Sequence, residues 1–365
     1  MRVLQVVSLL TPDGAFGGPA RVALNQCAEL VRRGHNVILA ASTRGYPETL
    51  DDIEGVPVRL FCAQTLLPRT GFAGVTAPGL ARWTSAQAAA FDVVHIHFAR
   101  DLMVMPAAAI TRRKRLPYVL QPHGMVIPSQ HSLSAPLDAL LTRRLLRDAK
   151  AVLYLTDLER RQLRDVARNE LRFVQLANGV PTYPPASERS GPPEIVFVAR
   201  LDARKRPMLF IAMAKKLLSE GVDARFALVG PDEGQATAVR AAIGDESRIR
   251  WEGPLDPAEI PRRLGSASVL VLPSAREPYP MSVLEAMSVG LPVVVCDDCG
   301  LAPAIDRTGS GVVTAGTAEA LAEATKTVLS DLATFGRRAR QTVRKDFGMT
   351  AVVDILEDVY ERAKE

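Results

Sequence analysis

The strongest constraint on the fold of this sequence is a regular alternation between short apolar runs and longer amphipathic segments. The apolar runs are three to five residues long and rich in β-branched side chains. They lie at Val37–Ala40, Val93–Ile96, Tyr118–Leu120, Ala151–Leu155, Ile195–Val198, Phe226–Val229, Val269–Leu272 and Pro292–Val295. The amphipathic segments predict helices at about 17–33, 134–148, 207–220 and 317–329. This alternation is typical of βαβ units, so it predicts an α/β fold with mostly parallel sheets covered by helices on both faces.

The pattern is interrupted once, by a segment rich in proline. Residues 181–193 hold five prolines and a glycine, which excludes a helix or a central strand. The segment therefore predicts a linker between two Rossmann-like domains that face each other across a cleft. Because ligands of open α/β sheets bind beyond the carboxyl ends of the strands, we expect the functional residues on the loops that line this cleft.

Composition narrows the class of protein. Lys and Arg outnumber Asp and Glu by 45 to 40, a mild excess that fits an anionic small substrate or an anionic membrane surface. Aromatic residues make up only 5%, which leaves few platforms for stacking nucleic-acid bases. No stretch approaches the roughly 18 apolar residues of a membrane span. The N-terminus enters a strand-like run without a signal peptide, so we expect a cytoplasmic protein.

Two pairs of residues resemble metal ligands by spacing alone. Cys296 and Cys299 form a lone CxxC, and His95 and His97 lie on one face of a predicted strand. A zinc site needs further ligands at matching spacing, and none is evident for either pair. We interpret the cysteines as part of a loop after a buried strand, and the histidines as an ordinary pair at a strand end.

Two basic clusters in the N-terminal half have two possible interpretations. They lie at 112–115 and 143–147. They are either solvated helix ends or a surface that contacts an acceptor or a membrane.

The segment from Pro273 to Val294 carries the clearest chemical signal. A proline-rich loop with Glu277 follows a buried-strand pattern and opens a helix with Glu285 eight positions later. A helix N-terminus offers free N–H groups to a phosphate, and two flanking carboxylates can accept hydrogen bonds from sugar hydroxyls. The arrangement suits a ligand with phosphate in its middle and hydroxyls at both ends. Alternatively, Ser282 and Glu285 have the spacing of a capping box, in which Glu285 only stabilises its own helix.

Two further motifs follow predicted strands. Gly17 and Gly18 follow the first strand and open a helix, where glycine lets backbone amides approach a phosphate, although a tight turn alone would also explain them. Arg200 and Lys205 follow the first strand of the second half. The chain has no Asp-x-Asp sequence that could hold a metal, and these two cations are suited to bind a phosphate group directly. The absence of GxGxxG after a strand and of GxxxxGK[ST] argues against a nicotinamide or flavin enzyme and a P-loop enzyme.

These motifs together resemble the retaining enzymes of glycosyltransferase family 4, which have the GT-B fold. The segment with Glu277 and Glu285 is similar to the E-x7-E motif of that family, and Pro278 and Gly290 match as well. Four more features occur in the family's order: Gly17-Gly18, His123-Gly124, Asn178-Gly179-Val180 and the run from Ala199 to Pro207. One departure is Arg206-Pro207, because many members have glycine after the lysine.

The resemblance implies a role for each matched residue of the C-terminal half. Glu285 would accept hydrogen bonds from the ribose hydroxyls, with Ser282 and Val283 in the same nucleotide-binding set. Glu277 would hold hydroxyls of the donor sugar. Arg200 and Lys205 would stabilise the β-phosphate as it leaves.

In the N-terminal half, the resemblance implies that Gly17 and Gly18 approach the same phosphate and that His123 contacts the donor sugar near the reacting centre. The expected domains are 1–183 on the acceptor side, a linker at 184–193, and a donor domain at 194–348. A helix at about 349–365 is expected to pack back on the first domain.

The predicted function is transfer of a hexose, with retention, from a UDP- or GDP-linked donor to a hydroxyl acceptor in glycolipid, cell-envelope or exopolysaccharide synthesis. No metal and no cofactor beyond the donor substrate are expected. The acceptor would be a saccharide, a lipid-linked molecule or a small molecule, and contact with an anionic membrane at the inner face of the plasma membrane would be peripheral. Alternatives are another GT-B enzyme, such as a UDP-sugar epimerase or a phosphorylase, and a catalytically silent nucleotide-sugar binding protein.

Overall fold

The computed structural model describes residues 1–12, 17–66, 74–129, 134–185 and 191–365. The chain divides into two compact units. The first is Met1–Gly179 together with Met349–Glu365, and the second is Val180–Gly348. The division between the units thus falls at 179/180, and the proline-rich segment counts with the second unit. Residues 186–190 of that segment lie outside the described residues.

The first unit is built on an eight-stranded sheet in the order β10-β9-β8-β7-β1-β2-β4-β3, parallel except for the β3–β4 pair. Its strands are β1 (Arg2–Leu10), β2 (Asn36–Thr43), β3 (Asp52–Ile53), β4 (Val56–Cys62), β7 (Val93–His97), β8 (Tyr118–Gln121), β9 (Ala151–Tyr154) and β10 (Phe173–Gln175). A separate antiparallel pair is formed by β5 (Gln64–Thr65) and β6 (Val75–Thr76). In β1, every residue after Arg2 is buried, as expected for a central parallel strand with both faces covered.

Helices cover both faces of this sheet. They are α1 (Gly17–Arg32), α2 (Pro78–Gln87), α3 (Val104–Arg113), α4 (Ser134–Leu137), α5 (Arg143–Asp148), α6 (Asp157–Ala167) and the C-terminal α14 (Met349–Lys364). The helix predicted at 134–148 is divided, because a π-helical turn at Asp138–Thr142 separates α4 from α5. On one face, α1 and α14 share an apolar core with the sheet. Gly179 permits the close approach of α14, since a Cβ there would lie 2.4 Å from Met349 Sδ.

The second unit has a six-stranded, fully parallel sheet in the order β13-β12-β11-β14-β15-β16. Its strands are β11 (Glu194–Val198), β12 (Arg225–Val229), β13 (Ile249–Trp251), β14 (Val269–Leu272), β15 (Val293–Cys296) and β16 (Gly311–Thr314). Its helices are α7 (Pro207–Ser219), α8 (Ala236–Ile243), α9 (Ile260–Gly265), α10 (Met281–Ser288), α11 (Ala302–Thr308), α12 (Ala318–Leu329) and α13 (Leu332–Thr342). A π-helical turn at Val343–Phe347 follows α13.

Both sheets reverse their strand order at one point. In the first unit the chain goes outward from β1 to β2 and then resumes from β7 on the other side of β1. In the second unit the same reversal lies between β11 and β14. Such switch points leave a crevice at the carboxyl ends of the two strands, which is where ligands of open α/β sheets bind. In the described part of the chain, no helix combines the length and apolar character that crossing a membrane would require.

Candidate functional site

In the second unit, Lys205 and Glu277 flank the switch point of the sheet. Lys205 ends a 3-10 turn at Ala203–Lys205 after β11, and Glu277 lies in the loop after β14. The Lys205 ammonium group forms an ion pair with Glu277 Oε2. The Arg204 guanidinium lies 3.8 Å from the same oxygen. The carboxylate is almost fully buried, so its negative charge is held by cations rather than by water.

Backbone hydrogen bonds fix the loop that carries Glu277. Ala275 N donates to Arg204 O at 2.8 Å, and Gly300 N donates to Glu277 O at 2.8 Å. Arg276 adopts a left-handed conformation with φ 46°, and its N–H donates to Asp298 Oδ2 at 2.7 Å. The loops after β11, β14 and β15 are thus joined into one rigid edge that places Glu277 beside Lys205.

Arg200 has a different partner from Lys205. Its Nη1 lies 2.6 and 2.8 Å from the two carboxylate oxygens of Glu233. Asp202 lies farther from it, at 3.9 Å, and accepts hydrogen bonds from Arg204 N and Lys205 N instead. Binding of a diphosphate by Arg200 therefore has to compete with Glu233, a partner that the sequence motif does not reveal.

The helix after Glu277 begins without a side-chain cap. The N-cap of α10 is Pro280, whose side chain has no atom that could accept a hydrogen bond from the first turn of the helix. Ser282 is therefore the second helical residue and not the cap, so it does not form a capping box with Glu285. Val283 and Glu285 are buried and Ser282 is half-buried. The first turn of α10 begins four residues after Glu277, and the N-terminus of a helix carries a partial positive charge.

Glycines at this edge serve close packing. A Cβ on Gly300 would lie 1.8 Å from Pro278 O, and a Cβ on Gly230 would lie 2.0 Å from Ala199 O. Gly18 of the first unit differs, because a Cβ there would meet nothing within 4 Å in the part of the chain that the structure describes, and its φ is not positive. The structure therefore gives no steric or conformational reason for glycine at position 18. Gly17 is the first residue of α1.

His123 lies in a left-handed turn after β8 of the first unit. Its φ is 53°, and Gly124 follows with φ 73°. The imidazole is nearly parallel to that of His97, with ring centroids 5.1 Å apart, and His123 Nε2 lies 2.8 Å from His97 Nδ1, so the two rings meet edge to edge. Burial lowers the pKa of His123 to about 3, against a smaller opposing effect of Asn178, so the ring is neutral at neutral pH. Its Nδ1 atom is buried and has no hydrogen-bond partner among the described residues.

Glu159 supports this turn, and the sequence motifs do not identify it. Its buried carboxylate accepts hydrogen bonds from Gly124 N at 2.5 Å and from Leu155 N at 2.7 Å. Burial raises the pKa of the Glu159 carboxyl, while the two backbone donors oppose that rise. The only sequence signal is Thr156 three residues earlier, which caps α6 by accepting a hydrogen bond from Glu159 N.

The two pairs with metal-like spacing have other environments. Cys296 is the last residue of β15, and Cys299 N donates to Cys296 O in the following turn. Both thiols are free and buried, and burial raises the pKa of Cys296 to about 11 and that of Cys299 to about 12. His95 and His97 are stacked at 4.7 Å inside the sheet.

The basic clusters are partly engaged in ion pairs. Arg112 Nε and Arg147 Nε lie 2.6 and 2.8 Å from the Asp148 carboxylate. Arg143 Nε donates to Val166 O at 3.0 Å. These contacts are typical of helix ends, and they do not exclude a binding surface.

The structure distributes the predicted residues over both units. Gly17, Gly18 and His123 belong to the first unit. The second unit contains the remaining six, which are Arg200, Lys205, Glu277, Ser282, Val283 and Glu285. Within the second unit, Lys205 and Glu277 are in direct contact.

Comparisons with known proteins match both halves of the chain. Residues 17–179 match the family described as the glycosyl transferase 4-like domain, and residues 182–345 match glycosyl transferases group 1. A 2-deoxystreptamine N-acetyl-D-glucosaminyltransferase from Streptomyces fradiae is 30% identical over 100% of this chain and 96% of its own. A D-inositol 3-phosphate glycosyltransferase from Kineococcus radiotolerans is 27% identical over 96% and 91% of the two chains.

Solved structures share the fold at lower identity. Sucrose-phosphate synthase from Thermosynechococcus elongatus superposes with a TM-score of 0.77 at 19% identity, over 99% of each chain. HepE from Anabaena, in a structure with UDP, gives a TM-score of 0.78 at 18% identity, over 99% of this chain and 100% of that one. These similarities confirm the predicted α/β class and GT-B fold.

Proposed function

This chain belongs to the group 1 glycosyltransferases of the family 4 type, and on that premise we propose that it transfers a hexose from a UDP- or GDP-linked donor to a hydroxyl acceptor with retention at the anomeric carbon. The observation that carries the proposal is the Lys205–Glu277 pair at the switch point of the second sheet, where the loop with Glu277 leads into α10. A cation, a carboxylate and the N-terminus of the helix that follows match the phosphate and the hydroxyls of a nucleotide-sugar.

The leaving diphosphate is neutralised by side chains in this proposal. The Lys205 ammonium group and the first turn of α10 receive the negative charge that develops on the β-phosphate. Glu277, ionised beside Lys205, accepts hydrogen bonds from hydroxyls of the donor sugar, and Glu285 accepts them from the ribose. Arg200 joins the phosphate site when it leaves Glu233.

Retention follows from attack on the face that the phosphate leaves. The bond between the acceptor oxygen and the anomeric carbon forms as the bond from that carbon to the phosphate oxygen breaks. The proton of the acceptor hydroxyl passes to the departing phosphate oxygen, so the step needs no protein nucleophile. Gly17 and Gly18 approach the phosphate, and His123 contacts the donor sugar.

The acceptor has two candidate classes. The first is the glycolipid, cell-envelope or exopolysaccharide precursor predicted with the family resemblance, and the mildly basic composition fits peripheral contact with an anionic membrane. The two relatives that match almost full length are named for 2-deoxystreptamine and for D-inositol 3-phosphate. These names support a small polyhydroxylated molecule as the second candidate.

A donor and acceptor screen tests the proposal. The full chain is incubated in EDTA with labelled UDP- and GDP-sugars and with acceptors of both classes, and the products are identified by mass spectrometry. We expect a glycoside to form in EDTA as fast as with added magnesium. An epimer or a sugar phosphate as product would favour another GT-B enzyme, whereas tight donor binding without turnover would favour a silent binding protein.

A further inference from the structure

A set of buried polar side chains lies behind His123, in the interior of the first unit. Gln5 of β1, His95 and His97 of β7 and Tyr360 of α14 all have 0% of their surface exposed. Polar groups removed from water to this degree cost free energy unless they are hydrogen-bonded to one another. Of these residues, His97 is the direct neighbour of His123, and His95 stacks on His97.

Their hydrogen bonds form a continuous series that ends at His123. His123 Nε2 lies 2.8 Å from His97 Nδ1, and His97 Nε2 lies 2.9 Å from Gln5 Oε1. Gln5 Nε2 donates to the Tyr360 hydroxyl at 3.2 Å. That hydroxyl lies 2.7 Å from His95 Nδ1. The C-terminal helix is thereby connected to His123 through two strands of the sheet.

The donor-to-acceptor direction of these hydrogen bonds determines which ring nitrogen of His123 carries the proton. Gln5 Nε2 faces Tyr360, so Gln5 Oε1 faces His97 and can only accept. His97 therefore donates from Nε2, which leaves its Nδ1 as an acceptor, since a neutral imidazole carries one N–H. His123 must then donate from Nε2. The remaining nitrogen, Nδ1, is left with an unshared lone pair.

We propose that Gln5, His97 and Tyr360 are positioning residues that hold His123 in its Nε2–H tautomer, so that Nδ1 accepts a hydrogen bond from a hydroxyl of the bound ligand. Nδ1 of His123 has no hydrogen-bond partner among the described residues. The diphosphate of a nucleotide-sugar is fully ionised at neutral pH and has no proton to offer such an atom, whereas a sugar hydroxyl does. The inference rests on the proposed function, because it assigns the hydroxyl to the donor sugar or the acceptor.

The tautomer is tested without ligand or activity. The full chain is labelled with 15N-histidine, and the ring nitrogens of His123 are assigned by the signals that disappear in His123→Gln. We expect the 15N shift of Nε2 to be that of a protonated nitrogen and that of Nδ1 to be that of a nitrogen with a lone pair. A proton on Nδ1 would overturn the proposal, whatever the enzyme transfers.

The positioning role is tested by kinetics. Gln5→Met removes the acceptor for His97, and Tyr360→Phe removes the hydroxyl that orients Gln5. We expect each to lower kcat roughly tenfold with a smaller change in donor KM, and to give a mixture of His123 tautomers.

Leu356→Ala is the matched control, because Leu356 is a fully buried apolar residue of the same helix. It should lower the melting temperature and leave kcat unchanged below the unfolding transition. If it lowers kcat as much as Tyr360→Phe, the network has no role beyond stability and the positioning claim is wrong. If the tautomer is as expected but no sugar is transferred, the proposed function fails while the network assignment stands.

Discussion

At the scale of single residues, the contact between Lys205 and Glu277 allows two neighbouring cations to be compared. Lys205→Gln keeps a hydrogen-bond donor for the buried Glu277 but removes the positive charge. We expect kcat to fall roughly 100- to 1,000-fold, the usual effect of losing one group that stabilises developing negative charge. Arg204→Gln is the control, since its side chain is 45% exposed and lies 3.8 Å from Glu277. Steady-state kinetics in which both variants lose the same activity would contradict a specific role for Lys205.

A substitution at Gly18 can distinguish an effect on phosphate binding from an effect on the stability of the fold. It is exposed in the first turn of α1, and a Cβ there would meet no atom of the described residues within 4 Å. Gly18→Ala should therefore leave the free energy of unfolding unchanged or raise it by about 0.5–1 kcal/mol. A Cβ would nevertheless obstruct a phosphate at the backbone amide, so we expect kcat/KM for the donor to fall. Unchanged kcat/KM, measured beside thermal unfolding, would leave position 18 without a role in binding.

At the scale of helices and strands, the sequence predicted the helices that amphipathic periodicity defines, but it did not predict the local features that depend on tertiary contacts. The predicted helices at 17–33, 207–220 and 317–329 correspond to α1, α7 and α12, because amphipathic spacing alone defines them. The helix at 134–148 is interrupted by a π-helical turn that the spacing does not reveal.

Among site elements, the sequence correctly placed Glu277 in a loop after a strand and Glu285 in the helix that follows. It could not decide whether Ser282 caps that helix, because the chain direction at Pro280 fixes the first helical residue. Glu159 was missed for a related reason. Its partner Gly124 is 35 residues away in the chain, and only the adjacency of β8 and β9 in the sheet brings them together.

The cluster of histidines at β7 and β8 predicts a loss of stability in acid. Burial lowers the pKa of His95 and of His123 to about 3, and that of His97 well below its ordinary value of 6.5. Below pH 6.5 the unfolded chain therefore binds up to three more protons than the native chain. The free energy of unfolding should fall by up to about 4 kcal/mol per pH unit as the pH decreases. Burial raises the pKa values of Asp101 and Glu159, so these two carboxyls increase the free energy of unfolding as the pH decreases and oppose the effect of the histidines.

Denaturant titrations between pH 7.5 and 5 measure this slope, with Trp83 fluorescence reporting the first unit in a Trp251→Phe background. His95→Gln removes one titrating ring, so its slope should be shallower by about 1.4 kcal/mol per pH unit. Equal slopes in the two proteins would mean that His95 does not titrate on unfolding.

At the scale of the whole molecule, the first unit is made of two segments that are far apart in the sequence. The last helix, α14, belongs to the first unit although 169 residues of the second unit precede it. Its apolar face has the pattern of a core helix, and its buried residues join the core formed by β1, β2 and α1. Folding of the first unit therefore requires the end of the chain, and so does the hydrogen bond from Gln5 to Tyr360.

A truncated chain that ends at Gly348 tests this dependence. It removes seven buried residues of α14, and each large apolar side chain contributes roughly 1.5–3 kcal/mol when buried. The sum exceeds the usual stability of a domain, so the first unit should lose its cooperative unfolding transition. Each unit has one of the two tryptophans, Trp83 and Trp251. We expect the Trp83 transition to disappear, measured with Trp251→Phe, and the Trp251 transition to persist, measured with Trp83→Phe. A chain that ends at Ala363 is the control and should unfold like the full protein, because Lys364 and Glu365 are exposed. A Trp83 transition that survives truncation at Gly348 would show that the first unit folds without its last helix.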